Sequence, residues 1–378
     1  MSRTAAGAIG LGVGAALVAG AALGNVGSNL MPILLPGMAD RFDLSNAAAG
    51  SLATTQLLAT ALAALLLARR AARPGRVRLA RVGLVVAAVG FTMAIVAPNF
   101  ALLMVGNAVA GIGLGAVYAV GMAAIAATKD TDRASTIAVL GATVVIAVLM
   151  IAIPQIDASS GGAAAFPILA ALCLPAFFLV RALPETPEHS PGTSFDRPVP
   201  VLFLLAVVLL GATEQGAWSY AEVLGVSGTG MSGETVAVVL SVVSLVSLTG
   251  ALLSPLVCRR FGRLPTMAVL VALEIGAKLV ITTDPWAVSY IVAAAVWQIS
   301  YMGLLVLLLT VAASADPSGR WIAATTGAAA IGTGLGSAPV GWVLDTWGAL
   351  ALGITLALAT AAAAVPLMCT TGRVERLV

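Results

Sequence analysis

The chain has 378 residues, 60% hydrophobic and only 9% charged, with 19 basic and 16 acidic side chains and a net charge of +3. A soluble domain carries roughly 25% charged residues, because a water-facing surface needs them. The composition therefore excludes an ordinary cytosolic enzyme, a disordered chain and a nucleic-acid-binding protein, and points to a polytopic protein of the lipid bilayer.

One helical crossing of the ~30 Å hydrocarbon layer takes about 20 largely apolar residues. Such runs are predicted near 7–35, 47–68, 79–97, 101–127, 134–154 and 163–182. After a polar break they resume near 199–223, 234–257, 265–282, 286–314, 321–343 and 348–369, which makes twelve. The first run is too long for the apolar core of a signal peptide and reads as a retained helix. It carries Asn25, Ser28 and Asn29 at helical spacing, with Pro32 and Pro36 beyond. These residues either line a cavity or hydrogen-bond a neighbouring helix.

The connection after the second run is crowded with Arg69, Arg70, Arg73, Arg76, Arg78 and Arg81. Basic residues also follow spans four, six, eight, ten and twelve. With Arg3, 17 of the 19 basic residues fall on one side, and only Arg41 and Lys278 do not. Short cytoplasmic loops hold the excess of Lys and Arg, so both termini are expected in the cytoplasm.

The second half carries the ionisable residues of the membrane interior. An ionisable side chain deep in a span costs at least ~2.5 kcal/mol on insertion scales, so each invites a functional reading. Span seven offers Glu214, Trp218 and Glu222 at i, i+4 and i+8, one stripe of a regular helix, with Gln215 beside them. Glu214 would sit ~22 Å along that helix at 1.5 Å per residue, just past the midplane. Span nine holds Glu274 and Lys278 at i, i+4, an intramembrane ion pair by spacing. Span ten presents Tyr290, Trp297, Gln298 and Tyr301 as a possible binding face. Three cysteines without paired spacing, and a single His189 in a polar linker, leave no metal site, cofactor or enzyme to expect.

The two halves repeat. Arg73-Pro74-Gly75-Arg76 follows span two and Arg260-Phe261-Gly262-Arg263 follows span eight, an offset of 263 − 76 = 187. Arg133 and Arg320, after spans four and ten, share that offset, as do Leu44-Ser45 and Met231-Ser232 before spans two and eight. The expected organisation is a six-helix bundle over 1–182, a cytoplasmic linker over 183–200 with five of the 18 prolines, and a second bundle over 201–378. Parallel repeats of this kind place a substrate site near mid-membrane between the halves.

Twelve spans in two halves, with an Arg-x-Gly-Arg turn after spans two and eight, resemble the major facilitator superfamily. The family signature at that turn is Gly-x-x-x-Asp-Arg-x-Gly-Arg. This chain has Ala72 and Arg259 at the two aspartate positions and Pro255 for the first glycine of the second copy. Span four, with Gly111-Ile112-Gly113-Leu114-Gly115, is similar too, although Asn107 stands where many members have arginine. The resemblance implies an all-α transporter working by alternating access, gated near Arg73, Arg76, Arg260 and Arg263. It also implies that spans one and seven face each other and that span nine is peripheral. The family's drug antiporters carry a glycine-proline pattern in span five, of which this chain keeps only Gly141 and Pro154.

The expected cavity spans contain no deep arginine or lysine, and an anion without a cationic partner is unstable in low dielectric. A neutral or cationic amphipathic small molecule is favoured, bound by Asn25, Ser28, Asn29, Gln215, Trp218, Trp297, Gln298 and Tyr301. Protons would couple through Glu214 and Glu222, with efflux as the direction. An importer or an uncoupled facilitator is the alternative, including one for an organic anion held by Lys278. The expected setting is a monomer in a bacterial inner membrane, with no nucleic-acid partner.

Overall fold

A computed structural model of the chain describes residues 9–160, 165–185, 199–316 and 319–376. Every regular element among them is helical. The first half holds α1 (Leu11–Asn29), α2 (Met31–Phe42), α3 (Asn46–Ala71), α4 (Arg76–Val96), α5 (Phe100–Ala126), α6 (Thr131–Ser160) and α7 (Ala165–Leu179). The second holds α8 (Val201–Ser219), α9 (Ala221–Thr229), α10 (Gly233–Phe261), α11 (Arg263–Thr283), α12 (Ala287–Ala315), α13 (Arg320–Leu335) and α14 (Ser337–Glu375). Among the described residues, 11 segments are long and apolar enough to cross a membrane. The last of them, Arg320–Glu375, is 56 residues long and is interrupted at Gly348, whose φ of 76° and ψ of −178° are not helical.

Local chemistry explains the ends. Asn99 caps α5 by accepting the Leu102 N–H at 3.0 Å, and Ser232 caps α10 by accepting that of Thr235 at 3.3 Å. Gly75 and Gly262, equivalent residues of the repeat, take φ of 88° and 89°, a conformation that costs other residues strain. The helices that follow both turns are capped by distant acids. Glu185 accepts the N–H groups of Gly75 at 2.7 Å and Val77 at 3.2 Å, and Glu375 accepts that of Arg263 at 2.9 Å. These glutamates supply negative charge at helix N-termini beside the turns that lack the family's aspartate.

The first and seventh apolar runs each break in two, which their hydropathy did not foretell. Leu30 separates α1 from α2, and Tyr220 separates α8 from α9. At the first break, Asn29 donates to the Asn25 carbonyl at 3.0 Å, and Pro32 brings no N–H of its own. At the second, the Ser219 hydroxyl donates to the Gln215 carbonyl at 2.8 Å. Side-chain donors of this kind compete with the backbone ladder and bend helices.

The chain packs as two units. One comprises Met1–Asn29, Ala59–Ile146 and Ala163–Ser190, and the other Leu30–Leu58, Ala147–Gly162 and Pro191–Val378. In the first, α4 lies along α5, and the buried Arg76 guanidinium donates to the Ala123 carbonyl at 3.0 Å. In the second, α8 packs on α13 and α14, and α12 on α10 and α11. Its core gathers Phe203, Leu210, Met267, Leu304, Trp321 and Leu367. The same unit contains a polar seam. Asp345 accepts the Asn46 N–H at 3.2 Å, the Asn46 amide at 2.8 Å and the Ala47 N–H at 2.7 Å, so it caps α3 from 299 residues away. The Tyr220 hydroxyl donates to the Asn46 carbonyl at 2.6 Å, and the Ala338 N–H donates to Thr54 at 2.9 Å.

Candidate functional site

The strongest concentration of buried charge lies in the second unit, where α8, α11, α12 and α14 contribute to one cluster. Glu214 is the fourteenth residue of α8, ~20 Å from its start at 1.5 Å per residue. Its side chain is 4% exposed, that of Lys278 1% and that of Glu274 0%. The Lys278 ammonium donates to Glu214 and, at 2.9 Å, to Glu274, one helical turn away on α11. Its third donor reaches the Thr360 hydroxyl of α14 at 3.1 Å. The second oxygen of Glu214 accepts the indole N–H of Trp297 at 2.6 Å. Trp297 in turn meets Trp218 edge-on, with ring centroids 6.1 Å apart.

Two carboxylates thus share one ammonium in a site closed to water. All three N–H donors of the lysine are used. One oxygen of Glu274 has no hydrogen-bond partner among the described residues. Burying charge is costly unless it is balanced and hydrogen-bonded. With both acids ionised the cluster carries a net negative charge, and one proton on either acid makes it neutral.

The Glu274–Lys278 pair expected from spacing is present, but it is not isolated. Lys278 also bonds Glu214 across 64 residues of sequence, so Glu214 of span seven, expected among spans without a deep base, meets the lysine of span nine. Thr360 was not singled out by its sequence context at all. The expected Glu214, Trp218, Glu222 stripe is corrected as well. Glu222 lies beyond the break at Tyr220, on α9, and takes no part in the cluster's hydrogen bonds.

The other candidate residues are distributed. Gln215 points its amide at Ser219, 3.4 Å away, and Ser219 meets Ser337 at 2.7 Å. Gln298 and Tyr301 are half-buried on α12. Asn25, Ser28 and Asn29 lie on α1 in the other unit, and each donates within its own helix, to Ala21, Asn25 and Asn25. Arg73 is exposed, and Arg76 is a buried tie between helices. Arg260 stacks on Phe261 at 5.5 Å, and the Arg263 guanidinium donates to Ser314 at 3.0 Å. His189 and most of the linker lie outside the described residues. Among the described residues no group of histidines, cysteines and acids is arranged to hold a metal ion.

The family profile described as Major Facilitator Superfamily matches residues 15–338. No curated protein matches the chain by sequence. Among solved structures the chain is similar to the nucleoside transporter NupG, with a TM-score of 0.75 at 14% identity over 95% of this chain and 98% of that one. It is similar to a D-xylose-proton symporter with a TM-score of 0.72 at 14% identity, over 93% and 96% of the two chains. A mutant of the peptide transporter POT gives a TM-score of 0.75 at 12% identity, over 96% and 94%. At these identities the likeness is one of fold.

Proposed function

We propose that this chain, which belongs to the Major Facilitator Superfamily, is a proton-coupled secondary transporter of a neutral or cationic amphipathic small molecule. In this reading the interruption at Gly348 divides Arg320–Glu375 into two crossings, twelve spans in all, and the one-sided arginines put both termini in the cytoplasm of a bacterial inner membrane. The observation that carries the coupling is the cluster of Glu214, Glu274 and Lys278, two acids on one buried ammonium. In one state it holds a proton and is neutral. In the other it releases that proton, and the negative charge left behind is stabilised by water or by a cationic substrate.

Glu214 is the proton carrier in this reading. Trp297 holds its carboxylate through the indole N–H, and Thr360 and Glu274 hold Lys278. Trp218, buried edge-on to Trp297, is the aromatic surface that an opened site turns to the substrate in this reading, with Gln215, Gln298 and Tyr301 as polar contacts. Aromatic faces attract cations as well as apolar rings. Asn25, Ser28 and Asn29 are the corresponding contacts from α1. Lys278 has no free donor, so an organic anion would have to displace Glu214 or Glu274 to reach it. Efflux is the direction in this reading, because an acidic, aromatic cavity resembles that of multidrug exporters.

Thermal unfolding in detergent at pH 6 and pH 8 tests the reading with tetraphenylphosphonium, ethidium, uridine, xylose and benzoate as probes. A ligand of the native state raises apparent stability by mass action. The expected result is stabilisation by a cationic or neutral probe that depends on pH and is lost in Glu214→Gln. Stabilisation by benzoate, lost in Lys278→Met and kept in Glu214→Gln, would make the chain an anion transporter instead.

A further inference from the structure

A groove of about 440 Å³ opens at the arginine-bearing end of α10, away from the buried cluster. Pro255 and Arg259 of α10, Arg263 at the start of α11, and Val306 and Thr310 of α12 line it. Its two cations are differently engaged. Arg263 gives its guanidinium to Ser314 and its backbone N–H to Glu375. Arg259 is exposed and makes no hydrogen bond or ion pair among the described residues. Arg259 also stands at the aspartate position of the family signature, so this chain carries a positive charge where a negative one is the pattern.

The groove continues into an apolar strip. Leu252, Pro255, Leu256 and Arg259 recur at i, i+3, i+4 and i+7, one face of α10. Leu252 is 72% and Leu256 59% exposed. The order along that face is a guanidinium at the helix end, then Pro255 on the wall of the groove, then leucines running towards the middle of the span. A phosphate head on an acyl chain has the same order, charge at the surface and hydrocarbon below it. Basic pockets between spans on the cytoplasmic side bind anionic headgroups.

We infer that this groove binds an anionic phospholipid, with its phosphate between Arg259 and Arg263 and one acyl chain along Leu256 and Leu252. Guanidinium groups suit phosphate oxygens because they donate two parallel hydrogen bonds. The groove uses neither Glu214 nor its hydrogen-bond partners, so lipid retention can be read apart from proton coupling.

The test is lipid retention by the full chain in detergent, read by native mass spectrometry and by thermal unfolding. The probes are phosphatidylglycerol, phosphatidylcholine and free glycerol 3-phosphate. Phosphatidylglycerol is expected to be retained and to stabilise the protein, with phosphatidylcholine and glycerol 3-phosphate having little effect. Each basic side chain near an anionic surface is worth about fivefold in affinity, so Arg259→Gln with Arg263→Gln should bind about 25-fold more weakly. Arg69→Gln with Arg133→Gln removes the same charge elsewhere and should bind as the wild type does. Arg259→Gln alone, an exposed change, covers the case in which the double variant fails to fold, and should lose about fivefold. Equal binding by the wild type and Arg259→Gln would overturn the assignment. Equal stabilisation by glycerol 3-phosphate would make it a site for a free phosphate ester, not a lipid.

Discussion

Lys278→Met removes the only cation from the buried cluster, and its cost can be worked from the contacts. The ammonium bonds Glu214, Glu274 and Thr360, and all three residues are buried. Removing one partner of a buried ion pair typically costs about 3–5 kcal/mol, because the other charge is left uncompensated. Methionine fills the stem of the lysine, so little of that cost comes from a cavity. The two acids can escape the penalty only by taking up protons, which is easier at low pH. The variant should therefore lose most stability at pH 8 and much less at pH 5.5, as read by thermal unfolding of the purified protein. Adding Glu214→Gln and Glu274→Gln to Lys278→Met removes the stranded charges and should restore most of the loss, a strong departure from additivity. A Lys278→Met protein that melts with the wild type at pH 8, or a triple variant no more stable than the single one, would refute the reasoning.

Three further outcomes follow from the packing. Asp345→Ala deletes the distant cap of α3, and losing a side-chain cap costs about 0.5–2 kcal/mol. Its melting temperature should fall while Asp345→Asn loses less, and equal melting of all three proteins would remove the cap from the account. Gly250→Leu should fail to give folded protein by gel filtration, because a side chain there meets the Ile299 carbonyl where α10 crosses α12. Gly276→Ala on α11 meets nothing within 4 Å and should be neutral or stabilising by up to about 1 kcal/mol, checked by the same melting assay.

Much of this fold is legible in the sequence because a bilayer imposes long periodic constraints. Apolar runs and the one-sided arginines report on the solvent, and each signal is repeated many times. The offset of 187 is visible for the same reason, and Gly75 and Gly262 share a positive φ, 88° and 89°, while their ψ values of 17° and 161° differ. What escapes is tertiary. The break at Tyr220 has no proline or glycine at the residue itself, so a stripe drawn through Glu222 continues past a point where the helix does not. The seam from Asp345, inside α14, to Asn46, the first residue of α3, joins residues 299 apart, where local pattern carries no information. The meeting of Lys278 with Glu214 belongs to the same class, although a charge count held a clue. Two deep acids and one deep base in spans seven and nine cannot be balanced by the i, i+4 pair alone. Thr360 offered no clue, since a threonine in an apolar helix usually bonds its own backbone.

The central claim is that Glu214 carries a coupled proton, and the most direct measurement separates coupling from transport itself. The protein is reconstituted into vesicles with an imposed pH gradient, using whichever probe stabilises it in the melting panel. Wild-type protein should accumulate that probe against its gradient while the pH difference lasts. Glu214→Gln should lose accumulation yet still exchange labelled for unlabelled probe across the membrane, because exchange needs alternating access but no net proton movement. Gradient-driven accumulation that survives in Glu214→Gln would contradict the account and place the coupling elsewhere in the protein.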